Sequence, residues 1–207
     1  MSGKVKALVL VGALLGAASS AFAQQPQQDT HNPGFVEVTY MPAGAGYVAS
    51  KKGAPSFGNY GFGTAVTFNI TPMFGVEGEL TALIATDSHL QFGDLSSGTK
   101  APNLLGYTGN FVVTPFRKTA FQPYAAAGIG GLTMFERPGV GIDEDQTFFT
   151  GNVGGGLKWY APNNRWGLRG DYRFVISKSK DDAPEFFGRD TRYLHRVYAG
   201  VVINTVQ

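Results

Sequence analysis

The sequence has no cysteine, few charged residues and no long apolar run beyond its N terminus. Without cysteine, the chain can form neither a disulfide framework nor a lipid anchor on a cysteine after a signal peptide. Charged residues make up 15% of the chain, against roughly 25% in soluble domains. Because no apolar run of ~18 residues follows the N terminus, a membrane-spanning helix is excluded as well.

The N terminus carries the features of an export signal. Lys4 and Lys6 precede an apolar run over 7–17, and a small-residue cleavage site of the A-x-A type lies at 21–23. The apolar run is too short to span a bilayer as a helix. We therefore predict three segments: a signal peptide at 1–23, a flexible lead at 24–33 and a single domain at 34–207.

Net charge and glycine content narrow the class of protein further. Without Lys4 and Lys6, the 17 basic residues fall to 15, which equals the 15 acidic residues. A neutral chain argues against nucleic acid as a partner and against a strongly polybasic membrane surface. The 29 glycines lie inside strand-like segments as well as in turns. Few charges and many strand glycines suit a sheet with a lipid-facing outer side and a crowded inner side.

Apolar and polar residues alternate with a period of two through most of the chain after residue 33. The clearest stretch, 146–177, reads as two strands joined by a turn at 161–164. In the second of these strands Leu168 falls on the apolar face and Arg169 on the polar face. We predict eight strands of this kind, at 34–41, 60–70, 73–84, 104–116, 120–135, 146–160, 165–177 and 191–205.

The connections between these strands alternate in length. Short turns are predicted at 71–72, 117–118 and 161–164, and long loops at 42–59, 86–103, 136–145 and 178–190. This alternation is typical of outer-membrane barrels, and most of the strands reach the ~9–11 residues that a tilted transmembrane strand needs. Closure is required because an open edge in lipid would leave backbone groups unpaired. The predicted fold is therefore all-β, an eight-stranded antiparallel transmembrane β-barrel with short periplasmic turns and long extracellular loops. The alternative is a soluble exported barrel or sandwich.

Aromatic residues gather beside the predicted short turns. Amphipathic rings favour the boundary between lipid and water, so these residues are expected to form the periplasmic-side girdle of the barrel. The predicted girdle consists of Phe68, Phe74, Phe116, Phe121, Trp159 and Trp166.

Charged residues recur on the polar faces of the predicted strands. If the apolar faces contact lipid, these charges point into the lumen, where carboxylates and cations balance. An eight-stranded interior is only wide enough for side chains to fill it. We therefore predict a salt-bridged plug, with a gated narrow pore or a proton path as the alternative. The predicted network consists of Glu37, Glu77, Glu79, Lys158, Arg169, Asp171, Arg173 and Arg196.

Two segments, PYAAAGIG at 123–130 and WGLRGDYR at 166–173, carry a family resemblance together with the alternation. They resemble the small eight-stranded outer-membrane barrels of the OmpA transmembrane-domain and OmpX type over nearly the whole mature chain. The sequence departs from that family in two ways: no second domain follows the last strand, and the chain ends at Gln207 without a terminal Phe.

The resemblance implies a monomer in a Gram-negative-type outer membrane. Its expected partners are outer-membrane lipids, lipopolysaccharide and the outer-membrane assembly machinery. It implies a non-enzymatic structural envelope or surface-interaction role. A narrow OmpW-like channel for small or apolar molecules is one alternative, and a PagL-like lipid A-modifying enzyme is another.

A rim hydrolase would need a catalytic set at the loop end. His195 lies near Ser177 and Ser179 in the predicted barrel, beside a loop with three acidic residues: Asp181, Asp182 and Glu185. PagL-type lipid A deacylases use His, Ser and an acid near the outer rim. Their His-x-Ser spacing is absent here, because Val197 stands two residues after His195. We predict no catalytic residues.

Two further motifs resemble ligand-binding sites, but neither leads us to predict a ligand. The glycine runs at 128–131 and 154–156 are not followed by a helix, whose N terminus a phosphate loop needs. Asp143, Glu144 and Asp145 could hold a divalent cation that bridges lipopolysaccharide, although a solvated acidic loop has the same composition. We predict no cofactor and no metal.

Overall fold

The structure is a computed structural model that describes most of the predicted domain. It describes residues 35–49, 55–85, 90–92, 95–97, 100–117, 119–138, 142–178 and 191–206. The predicted signal peptide and lead therefore lie outside the described residues. Within the described part, no helix is long and apolar enough to cross a bilayer.

Eight long antiparallel strands close into a barrel, which confirms the predicted fold class. Around the barrel the order is β1-β10-β9-β8-β7-β6-β3-β2. Two short strands, β4 and β5, pair with each other in the loop between β3 and β6. The strands are β1 (Val36–Val48), β2 (Phe57–Asn69), β3 (Phe74–Ala85), β4 (Leu90–Phe92), β5 (Leu95–Ser97), β6 (Leu104–Val113), β7 (Phe121–Met134), β8 (Gln146–Tyr160), β9 (Trp166–Lys178) and β10 (Arg192–Val206).

The predicted long loop at 42–59 is wrong, because most of it belongs to strands. β1 continues to Val48 and β2 begins at Phe57. The prediction ended the strand at Pro42, which has no N–H to donate. In the structure β1 bulges here, and its pairing with both neighbouring strands shifts between Tyr40 and Gly44. A bulge accommodates proline inside a sheet, and the Tyr60 hydroxyl donates a hydrogen bond to the Pro42 carbonyl.

The turn after the fourth barrel strand is longer than predicted. β6 ends at Val113 and β7 begins at Phe121, so the strand predicted at 104–116 is shorter and the turn is not confined to 117–118. Pro115, the second residue after β6, cannot donate to a hydrogen-bonded ladder. Instead of extending the strand, the turn folds Arg117 back under the barrel, where it is buried.

We name the two ends of the barrel by their connections: the turn end carries the short turns and the loop end the long loops. Side chains alternate between an exposed outer wall and a buried interior along all eight strands. Eleven buried apolar residues fill the interior at the loop end and form one cluster, the loop-end core. Its members are Val48, Phe57, Leu83, Ala101, Leu104, Leu132, Met134, Ile142, Phe148, Val175 and Leu194.

Two members of the loop-end core come from loops rather than from the barrel wall. Ala101 precedes β6, and Ile142 lies in the loop before β8; both are 0% exposed. Ile142 is held by a bridge to Arg137, whose backbone N–H donates to the Ile142 carbonyl at 2.6 Å. The loops therefore contribute side chains that fill the loop end of the interior.

Candidate functional site

The interior toward the turn end is charged. All eight side chains of the predicted lumen network lie inward, on β1, β3, β8, β9 and β10, and none is more than 6% exposed. They occupy alternate positions on their strands, as a period of two requires. The structure brings all eight into ion pairs, which we call the charged network.

Glu77 lies at the centre of the charged network. One of its carboxylate oxygens, Oε2, lies 2.5 Å from Nη1 of Arg169. The other, Oε1, lies 3.0 Å from Nη2 of Arg173. One carboxylate on β3 thus receives two guanidinium groups from β9 across the lumen, and charge-assisted bonds of this kind are the strong ones.

Asp171 stands between the same two arginines on β9. Arg169 donates from Nη2 to its Oδ2 at 2.8 Å, and Arg173 donates from Nε to its Oδ1 at 2.8 Å. Residues two apart on a strand share a face, so the alternation alone brings these three side chains together. Asp171 therefore separates two cations that would otherwise repel each other.

Glu79 connects the charged network to β10. Its Oε1 accepts from Nη2 of Arg196 at 2.9 Å, whereas its Oε2 lies 3.8 Å from Nη2 of Arg173. Arg196 also donates from Nη1 to the Thr81 hydroxyl at 2.7 Å. Glu79 is therefore mainly the partner of Arg196, and Glu77 is the main β3 partner of Arg173.

A second ion pair lies nearer the turn end. Lys158 forms an ion pair with Glu37, whose Oε1 accepts from Nδ2 of Asn69 at 2.7 Å. Arg117 donates to the Asn69 side chain and, from Nη1, to the Thr71 carbonyl at 3.1 Å. Burial lowers the pKa of Arg117, an effect that the charge of Glu37 opposes.

Tyr124 is the neutral residue that joins the two parts of the charged network. Its hydroxyl donates to Asp171 and accepts from Nε of Arg169 at 2.7 Å. Two cations lie over its ring: Nζ of Lys158 is 5.3 Å and Cζ of Arg169 is 4.8 Å from the ring centroid. Cations over an aromatic face are attracted by its quadrupole. The alternation places Tyr124 inward, but nothing in the sequence indicates these partners.

Small and polar neighbours complete the charged network. Thr67 donates to Oε2 of Glu77 at 3.0 Å, and Asn152 accepts from Nη1 of Arg173 at 3.3 Å. A Cβ added to Gly156 would lie 2.8 Å from the Tyr124 hydroxyl. It would lie closer still, 1.9 Å, to the Gly170 carbonyl oxygen. The inward glycine of β8 therefore allows both the close approach of β9 and the presence of the Tyr124 hydroxyl.

Each carboxylate of the charged network forms an ion pair with at least one cation. Glu37, Glu77 and Asp171 also accept hydrogen bonds from neutral side chains. Nε of Arg196 is buried without a hydrogen-bond partner in the part of the chain that the structure describes. The described residues contain no group of three or more histidines, cysteines, aspartates or glutamates that is arranged to hold a metal ion.

Comparison with known proteins identifies the family. The model of the outer membrane protein beta-barrel domain matches residues 10–202. The chain belongs to this family. It is therefore an outer-membrane protein, with the turn end toward the periplasm and the loop end toward the exterior. A search of curated protein sequences finds no significant match.

Two solved structures show the same fold at low sequence identity. Neisserial surface protein A is 14% identical, with a TM-score of 0.59, and the match covers 82% of this chain and 96% of that protein. The outer membrane protein OprG from Pseudomonas aeruginosa is 15% identical, with a TM-score of 0.51, and the match covers 84% and 98% of the two chains. At such identities the similarity concerns the fold alone.

The predicted aromatic girdle residues lie on the outer wall near the turn end. Phe68, Phe74, Phe116, Phe121 and Trp166 are 38–60% exposed, and Trp159 is partly buried. Trp159 and Trp166 pack edge to face with ring centroids 5.9 Å apart. In an outer-membrane barrel this places aromatic rings where the wall meets the periplasmic interface.

The proposed rim residues do not meet. His195 is exposed on the outer wall of β10, whereas Ser177 is fully buried in the interior, so the two lie on opposite faces. Nδ1 of His195 is instead 2.8 Å from the Tyr172 hydroxyl. Ser179 and the acidic residues Asp181, Asp182 and Glu185 lie outside the described residues.

The acidic loop has a structural role for one of its carboxylates. Asp143, Glu144 and Asp145 are all exposed. Oδ1 of Asp145 accepts a hydrogen bond from the backbone N–H of Glu136 at 2.7 Å. This bond joins the two sides of the loop that carries Ile142.

Proposed function

We propose that this protein is a monomeric, non-conducting outer-membrane barrel with a structural envelope or surface-interaction role. Its extracellular loops meet the exterior, and its wall contacts outer-membrane lipids and lipopolysaccharide. The outer-membrane assembly machinery is its partner during insertion. The observation that carries this proposal is the double filling of the interior, by the charged network toward the turn end and by the loop-end core above it.

The physical properties of the two fillings support a closed lumen. In an eight-stranded barrel the interior is only wide enough for side chains to fill it. The charged network crosses the lumen from β9 to β3 through Arg169, Arg173 and Glu77. Opening it by removing one partner would leave a buried charge uncompensated, at a cost of about 3–5 kcal/mol.

Planar-bilayer conductance tests the proposal. We expect no steady conductance from the unmutated protein. We also expect none when only one filling is reduced, by Arg173→Ala with Glu77→Ala or by Phe148→Ala with Leu104→Ala. Only the variant that combines all four substitutions should conduct. Steady conductance of the unmutated barrel would contradict the closed lumen and favour a narrow pore.

A conduit for small apolar molecules is the second candidate, and the loop-end core is the observation that favours it. That core is a continuous apolar region capped by Ala101 and Ile142. Displacement of the cap would expose an apolar recess above the charged network. Uptake of an apolar fluorescent probe by cells or proteoliposomes, lost when Leu104 is replaced by Asn, would support this candidate over a purely structural role.

A lipid A-modifying activity is the remaining alternative. The separation of His195 from Ser177 by the barrel wall argues against a catalytic pair of these two residues. Mass spectrometry of lipid A from cells that express the protein tests this alternative directly. An unchanged lipid A mass is expected for a non-enzymatic barrel.

A further inference from the structure

A groove of about 480 Å³ runs over β7, β8 and β9 on the outer wall. Its floor and walls follow from the strand register. Gly151 pairs with Ile129 on one side and with Ile176 on the other. A glycine between two isoleucines forms a depression, and the next outward row, with Val153 and Phe174, continues it toward the turn end.

One exposed cation, Lys178, stands at the upper end of the groove. It is the outward residue after Ile176 on β9 and pairs in register with Phe149 of β8. Along the eight barrel strands, as far as the structure describes them, no other charged side chain points outward. Among those described residues no ion-pair partner of Lys178 is found. Its ammonium group lies at the loop end, where a lysine reaches the headgroup layer.

A second polar group lies beside the groove. The ring of His195 is 5.2 Å, centroid to centroid, from that of Phe174, which lines the groove. Nδ1 of His195 lies 2.8 Å from the Tyr172 hydroxyl, and His195 is exposed on the outer wall. The surface therefore combines an apolar slot with a cation above it and a hydrogen-bonding group at its side.

We propose, resting on the lipopolysaccharide contact proposed above, that this groove binds one molecule of a phosphorylated, acylated glycolipid of the outer leaflet, of the lipopolysaccharide type. One acyl chain lies along Gly151 between the two isoleucines, and a phosphate group contacts Lys178. Charge complementarity selects this ligand, because a phosphate at the loop end matches Lys178, the one outward cation on the described part of the barrel strands. The loop end also faces the outer leaflet, which places the slot and the cation at the depths of an acyl chain and its headgroup.

The first test compares lipids by native mass spectrometry. The protein is refolded from denaturant into neutral detergent micelles, so that it carries no native lipid, and is titrated with bisphosphorylated lipid A. We expect one retained copy per barrel. Fully dephosphorylated lipid A should bind at least about tenfold more weakly. Equal retention of phosphatidylglycerol would show generic binding of anionic lipid and overturn the proposal.

The second test uses matched variants. Gly151→Leu fills the groove, whereas Gly78→Leu adds the same side chain to another outward glycine, which has open space around it. Lys178→Gln removes the cation, and Arg165→Gln removes an exposed cation at the turn end. We expect Gly151→Leu and Lys178→Gln to lose the retained lipid A and both controls to keep it.

Folding and self-association are measured in the same samples. Retention of the heat-modifiable band on gels shows that each variant is folded. If Gly151→Leu does not fold, Lys178→Gln still tests the proposal. Equal loss of lipid in the variants and their controls would overturn the proposal. So would a dimer of the unmutated protein that Gly151→Leu disrupts, because a second copy would then occupy the groove.

Discussion

The two ends of the barrel interior differ in their main filling, although the buried Arg192 of β10 adds one cation at the loop end. Toward the turn end, Arg169, Arg173 and Glu77 belong to a cluster of buried charges with directed partners. Toward the loop end, residues such as Phe148 and Leu104 make an apolar core with no charged member. One chain thus uses two kinds of packing inside a single ring of strands.

The difference shows how each filling specifies the fold. Directed ion pairs depend on register, because a one-residue slip of β9 would turn Arg169 and Arg173 toward lipid. The apolar core is less directional, and its members are buried at the loop end of the same interior. Hydrogen bonds and ion pairs are stronger at low dielectric, and unpaired polar groups there are more costly. The apolar half therefore strengthens the ion pairs of the charged half and raises the cost of leaving one of its groups unpaired.

The largest loss of stability is expected for a substitution at the centre of the charged network. Arg173→Ala should lower the free energy of unfolding by about 3–5 kcal/mol, because Glu77 and Asp171 lose a partner in a buried site. Urea unfolding in micelles, followed by tryptophan fluorescence, measures the loss. Arg165→Ala, at an exposed turn position, is the control and should change stability by no more than about 0.5 kcal/mol. Equal losses of stability in the two variants would show that the stability of the barrel does not depend on the ion pairs of the charged half.

The apolar half should respond to loss of volume. Leu104→Ala should lower the free energy of unfolding by about 3 kcal/mol, through lost burial and the cavity that remains. Leu168→Ala makes the same change on the outer wall, where the leucine is 50% exposed, and should cost less. The same urea unfolding assay compares the two. A larger loss at Leu168 would mean that the loop-end core adds little to stability.

A smaller loss of stability is expected when one hydrogen bond of the charged network is removed and the ion pairs are left in place. Thr67→Val keeps the shape of the side chain but removes the hydrogen bond to Glu77. We expect a loss of about 1.5 kcal/mol, as for hydrogen bonds to charged groups. Thr67→Ser, which keeps the hydroxyl, should lose less. If the valine variant is as stable as the unmutated protein, the ion pairs alone satisfy the carboxylate.

The smallest effect is expected for the coupling free energy between the two halves of the interior. A double-mutant cycle of Arg173→Ala with Phe148→Ala should give a coupling free energy below about 0.5 kcal/mol, because Arg173 belongs to the charged network and Phe148 to the loop-end core. The cycle of Arg173→Ala with Glu77→Ala is the reference and should exceed about 1 kcal/mol. Strong coupling across the halves would mean that the two fillings act as one unit.

Alternation predicted much of the barrel because each strand has only two faces. It placed Glu77, Arg169 and Arg173 on the inner side, and the structure finds them there. It did not anticipate the extent of β1, since Pro42 and the small residues after it lack a strand-like pattern. It also did not indicate the loop-end core, because Phe148 and Leu104 are apolar residues on inward positions and apolar residues were expected to face lipid.

The sequence by itself determined the barrel class and the inward set of charges, because these follow from composition and a period of two; the export signal at 1–23 stays a prediction. Only the tertiary structure decided which charges pair, that Tyr124 joins them, and that Ala101 and Ile142 fill the loop end. The reason is physical: a period assigns a side chain to a face, whereas its partners depend on which strands closure brings opposite each other and on the height of each residue along the barrel.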